Sequence, residues 1–292
     1  MEDKPKILLI PDSPGWAMDN RCDALIKHLS DRYTFDKVYW CGMPERDYSG
    51  YDLIYYAGFY MVGTKRDKAF KQTVAVTTVS GAVKMTLAEI AAKVDLVAAF
   101  SIPNPLLLEL RQLSQSEMFY APNGVDADLF SPGDKPNNER FTVGWAGNSK
   151  HAGKRVEELK RACSFADAEL RIQDMAERIP HDKMPDFYRG LDCYCCPSVS
   201  EGSNNCLLEA AACGIPLIAT PTGNACEIIK YDGGFYVRDD LGDLESVIDT
   251  MRTVDRDRMG ATLRERILSG WTWEVAARQF GNMFDYAMGI IR

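Results

Sequence analysis

One stretch constrains this chain more than any other: LDCYCCPSVSEGSNNCLLEAAACGIPLIATPTG, residues 191–223. Leu191–Pro197 is an apolar run of strand length, and Ser198–Ser203 is a small-residue loop at its carboxyl end. Asn204 or Asn205 can cap a helix by accepting a backbone N–H on its side-chain oxygen. The helix CLLEAAAC then runs to Gly214, which suits the left-handed position after a helix. Pro216 prevents continuation, and Ile215–Thr220 forms the next apolar strand. Ala210, Ala211 and Ala212 let the helix lie close to a sheet. Strands without a polar face, joined through a helix, belong to a parallel βαβ unit.

The rest of the chain repeats this alternation. Strand-like runs are expected at Lys6–Pro11, Lys37–Gly42, Tyr51–Ala57, Thr73–Ser80, Asp95–Ser101 and Glu117–Ala121, with helices at Asp19–Arg32 and Leu87–Ala92. A second series has strands at Phe141–Ala146, Glu169–Gln173, Leu191–Pro197, Pro216–Thr220 and Gly234–Val237. Its helices are expected at Gly153–Phe165, Pro185–Gly190, Asn205–Cys213 and Leu241–Val254, followed by Arg256–Leu268 and Trp273–Ile291. Between the series, the composition shifts to FSPGDKPNNER, a linker signal. At 292 residues, two domains of about 130–150 residues each are the natural division. The expected fold is α/β, two Rossmann-like doubly wound parallel-sheet domains, with ligands at the carboxyl ends of the strands.

Composition removes several classes. A net charge of −8 argues against a surface that coats itself with nucleic acid. Nothing approaches 18 consecutive apolar residues, so no membrane-spanning helix is expected. The opening MEDKPKILLIP lacks the apolar core and cleavage site of a signal peptide. A cytoplasmic chain is therefore expected, with its nine cysteines as free thiols. Cys193 and Cys196 form a formal C-x-x-C, but inside a strand and without a second pair. They read as buried packing. No metal motif stands out, so no metal site and no cofactor are expected.

Glu201 and Glu209 flank the start of the helix. A helix N-terminus attracts phosphate, and a carboxylate one turn inside can accept hydrogen bonds from ribose hydroxyls. SEGSNNCLLEAAACGIPLIATPTGNACEII resembles the E-x7-E signature of the retaining GT-B glycosyltransferases of family 4, the glycosyltransferase group 1 class. APNGVDADLFSP (121–132), IPHDKMPDFYRGLDCYCCPS (179–198) and WTWEVAARQF (271–280) resemble further segments of that family in the same order. The resemblance implies a GT-B fold, two Rossmann-like domains facing a central cleft. It divides the chain into an acceptor-side domain at 1–133, joined by a returning C-terminal helix at 274–292, and a donor domain at 138–273. It makes Glu201 the sugar-side carboxylate and Glu209 the ribose clamp, with the amides around Ser203, Asn204 and Asn205 facing the diphosphate.

FTVGWAGNSKHAGKR (141–155) takes a strand through a Gly-containing loop into a helix, which brings amides and cations to an anion. Family members carry an arginine soon after Gly147. Asn148 stands there instead, and Lys150, Lys154 and Arg155 are the available cations. Lys154 resembles the family lysine most closely, which implies a catalytic role against leaving-group charge. In PDSPGWAMDN (11–20), Gly15 permits close backbone approach and resembles the family's loop glycine, and Trp16 can stack on a sugar or a base or pack inside. The family's middle-strand histidine has no counterpart in VAVTTVSGAV. Asp12, Ser80 or Ser101 are the alternatives for the acceptor side, and His28 and His181 read as ordinary surface residues. Gly58, Gly63 and Gly81 have no readable role.

The implied activity is retaining, metal-independent transfer of a hexosyl or other glycosyl group from a nucleotide-diphosphate sugar, a UDP-sugar or GDP-sugar among the possibilities. The acceptor is open among a glycan, a lipid-linked sugar, a small molecule and a modified DNA base. The alternatives are a non-catalytic nucleotide-sugar-binding protein that kept only the donor site, and a sugar-nucleotide epimerase. Oligomeric state is not readable.

Overall fold

Runs such as KILLI and LIYY carry no polar face, so each needs strands beside it and cover on both faces of the sheet. β1 (Lys6–Ile10), β2 (Thr34–Lys37), β3 (Leu53–Tyr56), β4 (Lys71–Val76), β5 (Leu96–Ala99) and β6 (Glu117–Tyr120) form one sheet in the order β2-β1-β3-β4-β5-β6. Every pairing in it is parallel. The computed structural model describes residues 4–40, 48–62, 71–76, 92, 94–99, 117–134, 137–177 and 179–290. The expected helix at Leu87–Ala92, Gly63, Ser80, Gly81 and Ser101 fall wholly or mainly outside those residues.

The chain divides into two units: Met1–Gly124 with Trp273–Arg292, and Val125–Thr272. In the first, helix α1 (Ala17–Leu29) and the C-terminal helix Trp273–Met288 cover one face of the sheet. Leu25, Leu29, Tyr33, Tyr55, Phe280 and Phe284 share that core. Leu8, Ile54, Phe59, Val74 and Val97 fill the other face. The C-terminal helix is also held by polar contacts, because Tyr33 Oη donates to Asp285 Oδ1 at 2.6 Å and to the Gly281 carbonyl at 2.9 Å. Strand β2 lies earlier than the expected Lys37–Gly42. Buried Tyr33 anchors the turn before it, and the Thr34 amide starts the ladder on Pro5 O at 2.9 Å.

The second unit holds β7 (Thr142–Gly147), β8 (Glu169–Asp174), β9 (Cys193–Cys196), β10 (Leu217–Ala219) and β11 (Gly234–Tyr236), in the order β11-β10-β9-β7-β8. All its pairings are parallel. Its helices are α2 (Val156–Phe165), α3 (Met184–Arg189), α4 (Asn205–Ala212), α5 (Ala225–Ile228), α6 (Leu244–Thr253) and α7 (Arg256–Gly270). Val143, Trp145, Leu159, Cys193, Cys195, Ile218 and Ile248 make the core. Cys193–Cys196 is buried throughout, and all four thiols at 193, 195, 196 and 206 are unpaired.

The proline- and asparagine-rich segment expected as a linker is tied down along part of its length. Arg264 donates to the carbonyls of Ala127 and Phe130 at 2.7 and 2.6 Å, and Arg189 to that of Ser131 at 2.9 Å. Two arginines, on α3 and α7, thus satisfy backbone acceptors that composition alone assigned to water. The segment lies inside the second unit, which begins at Val125.

Phe280 is fully buried against Tyr55, with ring centroids 5.8 Å apart. Phe280→Ala is expected to lower stability by about 3–5 kcal/mol, read as a drop in the urea midpoint by circular dichroism. A loss below about 1 kcal/mol would show that the C-terminal helix contributes little to the first unit.

Candidate functional site

In the second sheet the chain goes from β7 outward to β8, then returns to the opposite side of β7 as β9. The two loops leaving the carboxyl ends of β7 and β9 therefore part there, at the switch point where open α/β sheets bind ligands. Those loops carry Lys154 and Glu201. The loops are joined by a backbone hydrogen bond from Val199 N to Gly153 O at 2.9 Å.

The first loop begins at Gly147, whose φ of +150° places it where side chains are strained, and whose missing Cβ would stand 3.1 Å from the Trp145 ring. Asn148 Oδ1 accepts the Lys150 amide at 3.1 Å, so Asn148 shapes the turn. The Ser149 amide is held by Asp174 at 3.2 Å. A 3-10 turn at Ala152–Lys154 follows, and Arg155 takes a left-handed φ of +53° before α2 starts. That kink makes α2 begin later than expected. It also aims the two cations differently: Arg155 Nη1 donates to the Asp239 carbonyl at 2.5 Å, while Lys154 Nζ meets Glu201 Oε1 at 2.5 Å.

The Lys154 and Glu201 side chains are 28% and 11% exposed, so the pair is partly withdrawn from water yet reachable. Burial by itself would lower the Lys154 pKa. The charge of Glu201 and its hydrogen bond outweigh burial and raise it above 10.5. A raised cation pKa keeps its contribution in full below the unfolded value and loses it only as pH climbs through the folded one. Lys154 is therefore an ammonium throughout the physiological range. Beside it, burial pushes the Cys196 thiol up to about 11, so that sulfur is neutral.

Asn204 caps α4, its Oδ1 accepting from Leu207 N at 3.1 Å. Its Nδ2 donates to Cys196 Sγ at 3.2 Å and its own amide donates to Asn224 Oδ1 at 3.0 Å. The expected phosphate-facing amide of Asn204 is thus spent inside the protein. Ser203 and Asn205 flank it at the start of the helix. At the other end, Gly214 at φ +75° follows the helix, and the amides of Gly214 and Ile215 close it on the Ala211 and Ala210 carbonyls, both at 3.0 Å.

Glu209 lies one turn into α4 and is buried, 8% exposed. Tyr188 Oη donates to its Oε2 at 2.7 Å, and His181 Nε2 sits 3.1 Å from its Oε1. His181 lies at the surface, as expected from sequence, with its side chain half exposed, and it also reaches Glu209. Its ring lies tilted at 60° beside that of Phe130, with centroids 5.1 Å apart. The hydrogen bond to Glu209, chiefly, raises its pKa above 6.5. His181 and Tyr188 both stand in IPHDKMPDFYRG, a segment already singled out, but nothing in its spacing points to a carboxylate in a later helix. Gly15 belongs to the first unit. It sits at φ +70°, with its amide donating to Asp19 Oδ2 at 2.7 Å.

Residues 134–254 match the family described as Glycosyl transferases group 1. The lipopolysaccharide core biosynthesis mannosyltransferase LpsB of Rhizobium meliloti is 33% identical over 109 residues, 36% of this chain and 30% of that protein. The chain spans less than half the length of the curated relatives it matches. Among solved structures, sucrose-phosphate synthase from Thermosynechococcus elongatus is alike at TM-score 0.76 with 16% identity, covering 99% of this chain and 100% of that one. Anabaena HepE, solved in complex with UDP and glucose, reaches 0.71 at 14% identity, covering 97% and 100%. The fold is GT-B. Over the matched span, residues 134–254, the chain is similar to the group 1 glycosyltransferases.

The His181–Glu209 contact is strongest with the imidazole charged, so its contribution is full below about pH 6.5 and fades as pH rises through the raised value. By NMR, Glu209→Gln is expected to bring the His181 titration midpoint down. A midpoint unmoved by the substitution would remove Glu209 as its cause.

Proposed function

We propose that this protein transfers a sugar from a nucleotide-diphosphate sugar to a hydroxyl acceptor, with retention of anomeric configuration, without a metal, and in the cytoplasm. The observation that carries the reading is the Lys154–Glu201 pair at the carboxyl ends of β7 and β9, inside the span that matches the family. Retention and metal independence rest on the family resemblance, and the second of these also on Lys154 as a fixed source of positive charge.

When a glycosidic bond to a diphosphate breaks, negative charge grows on the departing phosphate oxygens. A cation already placed and already protonated stabilises that charge without reorganising during the step. Lys154 meets both conditions, because Glu201 holds it in position and keeps it charged until an anionic donor competes for it. Glu201, freed from part of that ion pair, can accept hydrogen bonds from donor-sugar hydroxyls. In Glu209, each carboxylate oxygen already takes one hydrogen bond. Further lone pairs remain for ribose hydroxyls, and the carboxylate is pre-oriented for them. The acceptor, in this reading, is taken by the first unit. It is one of a glycan, a lipid-linked sugar, a small molecule or a modified base.

Thermal unfolding with UDP, GDP, ADP, CMP and dTDP in large excess tests the donor site. A ligand at about 100 times its dissociation constant adds roughly 2.7 kcal/mol, which appears as a shift of several degrees. One nucleotide is expected to shift the midpoint, and Glu209→Ala to abolish the shift. No shift with any of them would overturn the donor-site reading.

With the nucleotide identified, Lys154→Ala is expected to lower kcat for transfer or donor hydrolysis by about 10²–10³. Glu209→Ala is expected to raise the donor KM more than it lowers kcat. Nucleotide binding with neither transfer nor donor hydrolysis would favour the non-catalytic alternative, in which Asn148 in place of the family arginine marks a lost activity.

A further inference from the structure

The two glutamates of the second unit are balanced differently. Glu201 is paired with Lys154, an ammonium throughout the physiological range. Among the described residues, Glu209 has no lysine or arginine partner; its side-chain contacts are the Tyr188 hydroxyl at 2.7 Å and His181 Nε2 at 3.1 Å. Burial pushes the Tyr188 phenol well above 10, so Tyr188 supplies a hydrogen bond and no charge. His181 is therefore the contact of Glu209 that can carry a positive charge, and an imidazole is the side chain whose charge ordinarily changes between roughly pH 5 and pH 8.

More than this contact sets the imidazole in place. His181 opens the 3-10 turn His181–Lys183, which the Lys183 amide closes on the Pro180 carbonyl at 2.9 Å. Its ring leans on Phe130, which is buried and lies 6.1 Å from Tyr188 between ring centroids. Arg264 in turn holds the Phe130 carbonyl at 2.6 Å. The His181 side chain is still half exposed, so it exchanges protons with solvent.

The charged groups around the ring come from several elements. Asp182 is its neighbour in the turn, Asp126 lies near the start of the unit and Glu209 stands on α4; all three carboxylates favour the charged imidazole. Lys183, at the end of the turn, is exposed. Arg264 of α7 is committed to the Ala127, Phe130 and Ala212 carbonyls. Cys206, also on α4, is a neutral thiol that burial pushes up to about 12, and it interacts electrostatically with Lys154, Glu201 and Glu209 alike. The two carboxylate pairs thus lie around one end of α4.

A nucleotide-diphosphate sugar is a dianion, and an anion approaching a buried carboxylate is repelled unless that carboxylate is balanced. Charged His181 balances Glu209 and leaves its remaining lone pairs to hydroxyls. Neutral His181 leaves the full carboxylate charge facing the anion. We propose that His181 is a positioning residue which, acting through Glu209, makes the site bind nucleotide-diphosphate sugars more tightly when the imidazole is protonated. This role rests on the reading of Glu209 as the ribose contact and deepens it.

The test is isothermal titration calorimetry of the intact protein with UDP-glucose, GDP-mannose, ADP-glucose and dTDP-glucose, from about pH 5.5 to about pH 8.5. The esterified phosphates of these probes, unlike the terminal phosphate of a free nucleoside diphosphate, do not titrate in that window. Affinity for the sugar nucleotide that binds is expected to fall about fivefold as pH rises through it. His181→Gln keeps a neutral N–H within reach of Glu209 and should show the weaker, high-pH affinity at every pH, whereas His181→Ala should bind more weakly still. His151→Gln, in the loop after Gly147, should retain the pH dependence. By reciprocity, the bound sugar nucleotide should raise the His181 titration midpoint by about 0.7 of a pH unit, read by NMR in the unmutated protein, which keeps the test valid if a variant misfolds. Binding that ignores pH, tightens as pH rises, or keeps its pH dependence in His181→Gln overturns the proposal and leaves the nucleotide site standing. No binding by any of the four at any pH overturns the proposal together with the reading it rests on.

Discussion

A parallel sheet whose chain reverses its direction of travel leaves two strand ends with their loops pointing apart, and in the second unit those ends belong to β7 and β9. A cation on one loop and a carboxylate on the other fill that gap as a 2.5 Å ion pair. Much of the local structure serves this arrangement. Gly147 lets the first loop leave the sheet beside the Trp145 ring, and the left-handed Arg155 turns the chain into α2 while separating the two cations. Asn204 and Asn224 lock the second loop to the next one. A lysine half-withdrawn from water would be costly alone, and Glu201 offsets that cost while keeping the charge available.

Glu209 shows the same economy of position. Helix α4 is made of residues small enough to sit against the sheet, and Ala210, Ala211 and Ala212 are fully buried. A carboxylate on such a helix is itself buried and requires partners. Tyr188 and His181 supply them from the segment that precedes β9. The pair orients the carboxylate and couples it to an imidazole whose pKa the Glu209 hydrogen bond raises above 6.5, so the charge beside Glu209 depends on pH.

The first unit follows a different plan. Its sheet is covered on one face by α1 and by the last helix of the chain, with Tyr33, Arg32 and Asp285 closing the polar edge of that contact. The carboxyl ends of its first three strands are left with aromatic side chains in water and an unsatisfied carboxylate oxygen.

By itself, the sequence determined the parallel α/β class, because its short runs have no polar face and alternate with helical patterns. It also determined the strand–loop–helix unit around Glu201 and Glu209, since Asn204, Gly214 and Pro216 leave the backbone few alternatives there. Lys154 was legible as a cation in a Gly-containing loop. The tertiary structure decided what spacing along a chain cannot encode: that Lys154 rather than Arg155 turns to Glu201, that His181 and Tyr188 share Glu209, and that Arg189 and Arg264 bind a segment whose composition reads as linker. It also shifted β2 toward Tyr33, because burial of that ring outweighs the strand preference of the residues that follow. The side-chain contacts among these are pairings between residues distant in sequence. Local propensity is fixed by neighbours along the chain, but a buried charge or carbonyl takes whichever partner the folded sheet brings within reach.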